Sequence, residues 1–275
     1  MEISRNMAEI PAKNERGIIM NKKRELKKLI HTALMIAIVM VLSNFNYYVP
    51  MGGESGLKLG FTTFFVKLPA LLFGPMYGAI SGGVSDFLGY IIKPMGPYMF
   101  PLTLTSVIGG ALIGLLWKFF KKINPDTVKD IFKIIALLCI LFGAVNHILI
   151  HFYEGLSYSQ FLLGLGKKTV YFTVWFEAAG FLFFAVLFLD RVFRLILKDK
   201  YTDDFIRLLL TLIIPNLIVT TANTFILMFY YPSLTKLGFL LVFIPRLTEE
   251  IIMTVLQSFV LSYLVRIYNK LLTKE

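Results

Sequence analysis

Long apolar runs divided by short polar or basic breaks dominate the chain. The runs lie near 30–48, 60–74, 76–92, 101–118, 130–152, 169–190, 206–230 and 239–266. Several exceed roughly 18 residues, enough for a helix to cross a bilayer. They lack the alternating ten-residue segments of a membrane barrel, and lipid admits only helices or closed barrels. The pattern predicts an all-α membrane protein of about eight transmembrane helices. Eight crossings place both termini on the same side.

The breaks add detail. Gly74-Pro75 suits the end of one helix and the first turn of the next. After it, Gly78, Gly82 and Asp86 recur every four residues on one face, with Ala79 and Gly83 beside them. Small residues at this spacing let a neighbouring backbone come close. Asp86 shares the face and so points into the bundle. A carboxylate at membrane depth needs partners. It either ties helices together or meets a ligand.

Charge then sets the orientation. The net charge is +11, yet only 16% of residues are charged, against about a quarter in soluble domains. The breaks on one side hold 21 of the 28 Lys and Arg residues; the other side holds seven, Lys58, Lys67, Lys93, Lys167, Lys168, Lys236 and Arg246. The positive-inside rule makes the first side cytoplasmic, with both termini there. The basic excess is thus a positioning signal rather than a nucleic-acid surface. The single Cys139 excludes an internal disulfide. Residues 1–28 have no apolar centre, so no cleavable signal peptide is expected; the stretch ending in "NKKRELKK" reads as a cytoplasmic lead-in beside anionic lipid.

The stretch "ALLFGPMYGAISGGVSDFLGYIIKPMGPYMFPLTLTSVIGGALIGLLW" resembles the core of S-components of energy-coupling factor (ECF) vitamin transporters, and is most similar to the folate family. The likeness rests on Phe73-Gly74-Pro75, Asp86, Pro94-Met95-Gly96-Pro97-Tyr98, and Thr103 with Thr105. "TANTFIL" from Thr221 and "IPRLTEEIIMTVLQSFVLSYL" resemble the last two helices, and Ala33 with Ala37 resemble the family's AxxxA docking pair. The resemblance covers 30–118 and 206–266. It implies a subunit of a bacterial cell-membrane importer that binds a vitamin, here folate, from outside and has no catalytic activity or cofactor. The partners it implies are a transmembrane coupling subunit and two cytoplasmic ATPases. The chain carries no G-x-x-x-x-G-K-[ST] loop of its own.

Six helices are usual in that family, so two are surplus. The expected organisation is a basic tail at 1–29, core helices 1–4 over 30–122, an inserted helix pair over 123–200, and core helices 5–6 with the C-terminus over 201–275. "NHILIHFY" from Asn146 echoes "NTFILMFY" from Asn223 at an offset of 77, and a second echo links Leu156, Phe161 and Lys168 to Leu234, Phe239 and Arg246 at 78. Either the pair is duplicated or apolar helices simply look alike.

The expected ligand-binding residues are Arg246, Asn223, Thr224, Tyr98, Phe100, Thr103 and Asp86. Arg246 offers a two-bond fork to a carboxylate such as those of folate's glutamate, or pairs with Glu249 or Glu250 on its own helix. Asn223 and Thr224 present amide and hydroxyl groups to a ring edge, or bridge helices. Tyr47, Tyr48, Tyr98 and Phe100 stack on a ring, or anchor at the interface. Ala33 and Ala37 serve partner docking, or ordinary packing. His147 and His151 have zinc-ligand spacing, but "HILIH" lacks the Glu of H-E-x-x-H and a third ligand, so no metal is expected. Rival readings are an S-component for another vitamin or precursor, and an intramembrane enzyme using Glu249 and Glu250 with His147 or His151. "TEE" at 248–250 resembles an E-E-x-x-x-R protease motif, but the Arg is missing: Met253 is followed by Thr254 at that position.

Overall fold

The computed structural model describes residues 2–45, 47–51, 54–94, 96–153, 155–164, 168–197 and 202–272. Met95, Lys167 and residues 198–200 of the expected insertion lie outside the described residues. In chain order the elements are α1 (Glu2–Ser43), β1 (Tyr47–Met51), β2 (Glu54–Leu59), α2 (Thr62–Phe73), α3 (Pro75–Ile92), α4 (Phe100–Phe120), α5 (Pro125–Phe152), α6 (Ser157–Gly164), α7 (Lys168–Leu197), α8 (Thr202–Tyr230), α9 (Pro232–Leu237) and α10 (Phe239–Leu272). The architecture is that of a multi-pass helical membrane protein. Among the described residues, Met20–Ser43, Phe100–Phe120, Pro125–Phe152 and Asp204–Tyr230 are long and apolar enough to cross a bilayer, and Thr62–Phe73 is a shorter apolar helix.

The main departure from the sequence reading follows the first helix. It ends at Ser43 instead of running to 48, and Tyr47 and Tyr48 begin a strand. β1 and β2 pair antiparallel, with Tyr47 opposite Leu59 and Val49 opposite Leu57, and the register shifts between Val49 and Pro50. Tyr-Tyr-Val is a strand-forming run, and Pro50, with no backbone N–H, breaks the ladder where the shift occurs. At its other end α1 extends through the basic lead-in.

The chain divides into two compact units, residues 1–118 with 211–275, and residues 119–210. In the first, α1 packs on α2 and α3, and α2 packs on α3 and α10. The turn between α2 and α3 works as the sequence suggests. Gly74 has φ 101°, a backbone region open to glycine, and its N–H donates to Ala70 O at 3.1 Å. The small-residue face of α3 lies directly on α4. A Cβ at Gly78 would meet the Gly110 backbone, and one at Gly82 would meet Ser106. One at Gly114 would come within 2.6 Å of Pro75 N. The two helices therefore cross backbone against backbone, which fixes Asp86 close to the start of α4.

In the second unit Asn124 caps α5, its side chain accepting from Asp126 N, with Pro125 in the first turn. Helix α5 lies against α7 through small residues. Gly143 accommodates Glu177, and Gly180 sits over the Ala136 carbonyl. Ring pairs Phe132–Phe183 (5.6 Å) and Phe142–Phe176 (4.8 Å) close the contact. Tyr158 of α6 donates to Asn146 Oδ1 at 3.0 Å.

Helix, short helix, helix occurs twice: α5–α6–α7 and α8–α9–α10. The turn after the first helix is built alike in both. Tyr153 N–H donates to Leu149 O (3.1 Å), and Tyr153 O accepts from Leu156 N (3.2 Å); Tyr231 N–H donates to Leu227 O (2.8 Å), and Tyr231 O accepts from Leu234 N (3.0 Å). Each of the three positions recurs at the offset of 78 found in the sequence.

Candidate functional site

Unit 1 encloses a cavity of about 310 Å³, walled by α1, α2, α3, α4, α8 and α10. Helix α1 supplies Val39 alone, and the other five supply residues at helical spacing. Asn216, Thr220 and Asn223 face it from α8, one or two turns apart; Arg246, Glu249, Glu250, Met253 and Gln257 face it from α10. Helix α3 adds Gly82, Ser85 and Asp86, and α4 adds Thr105, Ser106, Gly109, Gly110 and Ile113. The close crossing of α3 and α4 thus brings their polar groups to the same wall.

Two polar clusters organise the cavity. The first holds Lys67 of α2, whose Nζ donates to Asn216 Oδ1 at 2.9 Å and to Gln257 Oε1 at 2.5 Å, with Glu250 Oε1 4.0 Å away. Asn216 Nδ2 in turn donates to Thr254 Oγ1 at 2.7 Å, and Thr220 Oγ1 donates to Glu250 Oε2 at 3.3 Å. An ammonium at membrane depth is costly unless partnered; here α2, α8 and α10 each supply part of the answer. The second cluster is a relay. Thr103 Oγ1 donates to Asp86 Oδ2 at 2.6 Å, and Tyr98 OH lies 2.9 Å from Thr103 Oγ1. The single Thr103 proton goes to the carboxylate, so Tyr98 is the donor in the outer bond. Tyr98 is steadied by Phe87 and Tyr90, at 5.8 and 5.0 Å between rings.

The structure sorts the sequence candidates. Arg246, Asn223 and Asp86 line the cavity. Asn223 Oδ1 accepts from Thr105 at 2.5 Å. Thr103 and Tyr98 stand behind Asp86. Thr224 is fully buried and returns its hydroxyl to Thr220 O at 2.7 Å, and neither it nor Phe100, which is 63% exposed, belongs to the cavity wall. One step along a helix turns a side chain by about 100°, which separates Asn223 from Thr224. Tyr47 and Tyr48 have side chains outside the description. Ala33 and Ala37 sit on the exposed side of α1, while Thr32, Met35, Ile36 and Val39 are buried.

Four cavity residues of the first polar cluster escaped the sequence reading. Lys67, counted there with the surface charges of one membrane side, is instead a buried member of the site. Asn216, Thr220 and Gln257 were passed over inside apolar runs. The signal was available: Asn216, Thr220 and Asn223 fall on one helix face, as do Glu249, Met253 and Gln257. Ser85 adds a buried hydroxyl with no hydrogen-bond partner among the described residues.

Comparison with known proteins decides the family. The family model described as "ECF-type riboflavin transporter, S component" matches residues 23–190. The chain belongs to this family of ECF S-components. Its members are transport subunits, not enzymes. A curated relative, "Folate transporter FolT" of Clostridium novyi (strain NT), is 25% identical over 154 residues, covering 55% of this chain and 84% of the relative. The S-component match stops within α7, before α8 and α10, which supply Asn216, Asn223, Arg246 and Gln257 to the cavity.

Proposed function

We propose that this S-component binds folate in the unit 1 cavity and delivers it through an ECF module of one transmembrane coupling subunit and two ATPases. The observation that carries the reading is a membrane cavity lined by charges of both signs, Lys67 and Arg246 against Asp86, Glu249 and Glu250. Folate matches in kind: it has two carboxylates at one end and a ring rich in N–H donors at the other. A buried cation or carboxylate facing an uncharged ligand loses hydration without a charge partner in return. The second reading is riboflavin, favoured by the description of the matching family. Mass spectrometry of what leaves the purified protein on denaturation separates the two. Recovery of a flavin and no pterin would overturn the folate reading.

In this proposal the S-component core comprises 30–122 and 201–275, and 123–200 is an inserted pair, giving about eight crossings with both termini cytoplasmic. Cysteines placed at 232–236 are then labelled by an impermeant thiol reagent from outside, and cysteines at 122–128 are not. Labelling at 122–128 in intact cells would sink this topology.

Ala33 and Ala37 form the docking contact. Their exposure leaves them free to meet another helix, and small side chains permit close approach. Replacing both with Trp is expected to abolish uptake while ligand affinity stays within about twofold, since surface changes rarely exceed ~0.5 kcal/mol. Parallel loss of binding and uptake would return them to internal packing.

A further inference from the structure

The arrangement of Lys67 and Glu250 points to a finer property of the same cavity, and resting on the folate reading we infer that this pair reads the hydrogen-bonding edge of the ligand's ring and selects a pterin over a flavin. An ammonium carries three N–H donors. Lys67 gives two, to Asn216 Oδ1 and Gln257 Oε1, and these amides hold the nitrogen in place. Its third N–H remains for a ligand. Glu250 Oε1 stands 4.0 Å from Nζ, an ion pair at its outer limit and beyond hydrogen-bond length, so the third N–H is not spent on the carboxylate. Thr220 donates to Glu250 Oε2 and fixes the carboxylate's orientation. Both side chains are largely but not fully covered, at 14% and 23% exposure, and both line the cavity.

The pair therefore offers one donor beside two acceptor oxygens. A pterin presents the complement along one edge: a carbonyl acceptor at C4, the N3–H donor and the 2-amino donor. A flavin presents acceptor, donor, acceptor, because its pyrimidine ring carries a second carbonyl in place of the amino group. That carbonyl would face the Glu250 carboxylate, lone pair against lone pair. Specificity then comes from a repulsive contact as well as an attractive one. The amides behind Lys67 are positioning residues, since they hold the nitrogen without needing to touch the ring.

The test compares two ligands that differ only at C2 and its adjoining ring nitrogen: folic acid and its 2-oxo analogue, in which a carbonyl replaces the 2-amino group and N1 gains a proton. Both keep the glutamate tail, so contacts to Arg246 are common to the two. Calorimetric titration of the purified wild-type protein is expected to show folic acid binding roughly 10- to 100-fold more tightly, the scale of one well-made bidentate contact. Glu250→Gln replaces one acceptor with a donor and is expected to erase or reverse that preference. Equal wild-type affinities for the two ligands, or a preference unchanged in Glu250→Gln, would overturn the inference while leaving folate binding intact. Should the variant fail to fold, the wild-type pair still decides. No wild-type binding of either ligand would instead refute the folate reading, and the ring-edge assignment with it.

Discussion

Arg246→Ala is expected to weaken folate binding by about 2–5 kcal/mol, the scale for truncating one partner of a buried charge pair. The guanidinium belongs to α10, one turn from Glu249 and Glu250, and all three line the cavity. Its planar fork matches a carboxylate through two parallel bonds. Arg246→Lys should therefore recover little, because a single ammonium cannot reproduce that geometry. The loss should shrink for 6-hydroxymethylpterin, which has no carboxylate for the fork to hold. Calorimetry with the two ligands on wild-type and variant protein measures the difference directly. An equal loss for both ligands, in an Arg246→Ala protein that remains monodisperse, would remove the carboxylate clamp. A clamp role also predicts that Glu249→Gln will not reproduce the ligand dependence of the arginine variant.

The second large effect concerns the fold beneath the site. A Cβ at Gly110 would lie 2.6 Å from the Gly78 carbonyl carbon and 3.2 Å from Ala79 N. These are backbone atoms, which cannot rotate aside as a side chain would. Overpacking against movable neighbours costs ~1–3 kcal/mol, so Gly110→Leu is expected to exceed that range and to remove most of the folded protein from the membrane fraction. Gly89 provides the control. It lies on α3, yet nothing stands within 4 Å of its virtual Cβ, so Gly89→Ala should leave stability unchanged or slightly raised by better helix propensity. Fluorescence-detected size-exclusion after heating reports both. Normal thermal stability of Gly110→Leu would mean that α3 and α4 do not cross as closely as described.

The two predictions differ in how they could be reached. Helix positions were legible because a membrane leaves few options: long apolar runs and Gly-Pro punctuation locate α2, α3 and α4 to within a few residues. The small-residue face of α3 was legible too, though not the identity of α4 as its partner. Asp86, Asn223 and Arg246 stood out since polar groups are rare at membrane depth. Lys67 did not. It lies on a helix of only 12 residues that follows a hairpin, and although the run expected at 60–74 already contained it, the lysine was counted as one of the charges that mark a membrane side. Thr224 shows the opposite error. Its residue type was right and its helix was right, but facing is decided by one residue of rotation. Asn216 and Gln257 were hidden by neutrality, as an uncharged amide barely disturbs an apolar run. Their importance emerges only with Lys67, which lies 149 and 190 residues away in sequence.

That separation has a consequence for how the protein is made. The amides that satisfy Lys67 belong to the last two long helices, while Asp86 finds Thr103 only 17 residues downstream. A ribosome adding about 5–20 residues per second delivers Thr103 to Asp86 within about 1–4 s, but leaves Lys67 waiting about 7–30 s for Asn216. During that interval a lysine destined for the bundle interior has neither of its amides. The nascent α2, short and carrying this charge, thus waits for α8 and α10 to be made, and a chain stalled before α8 keeps its lysine without either amide.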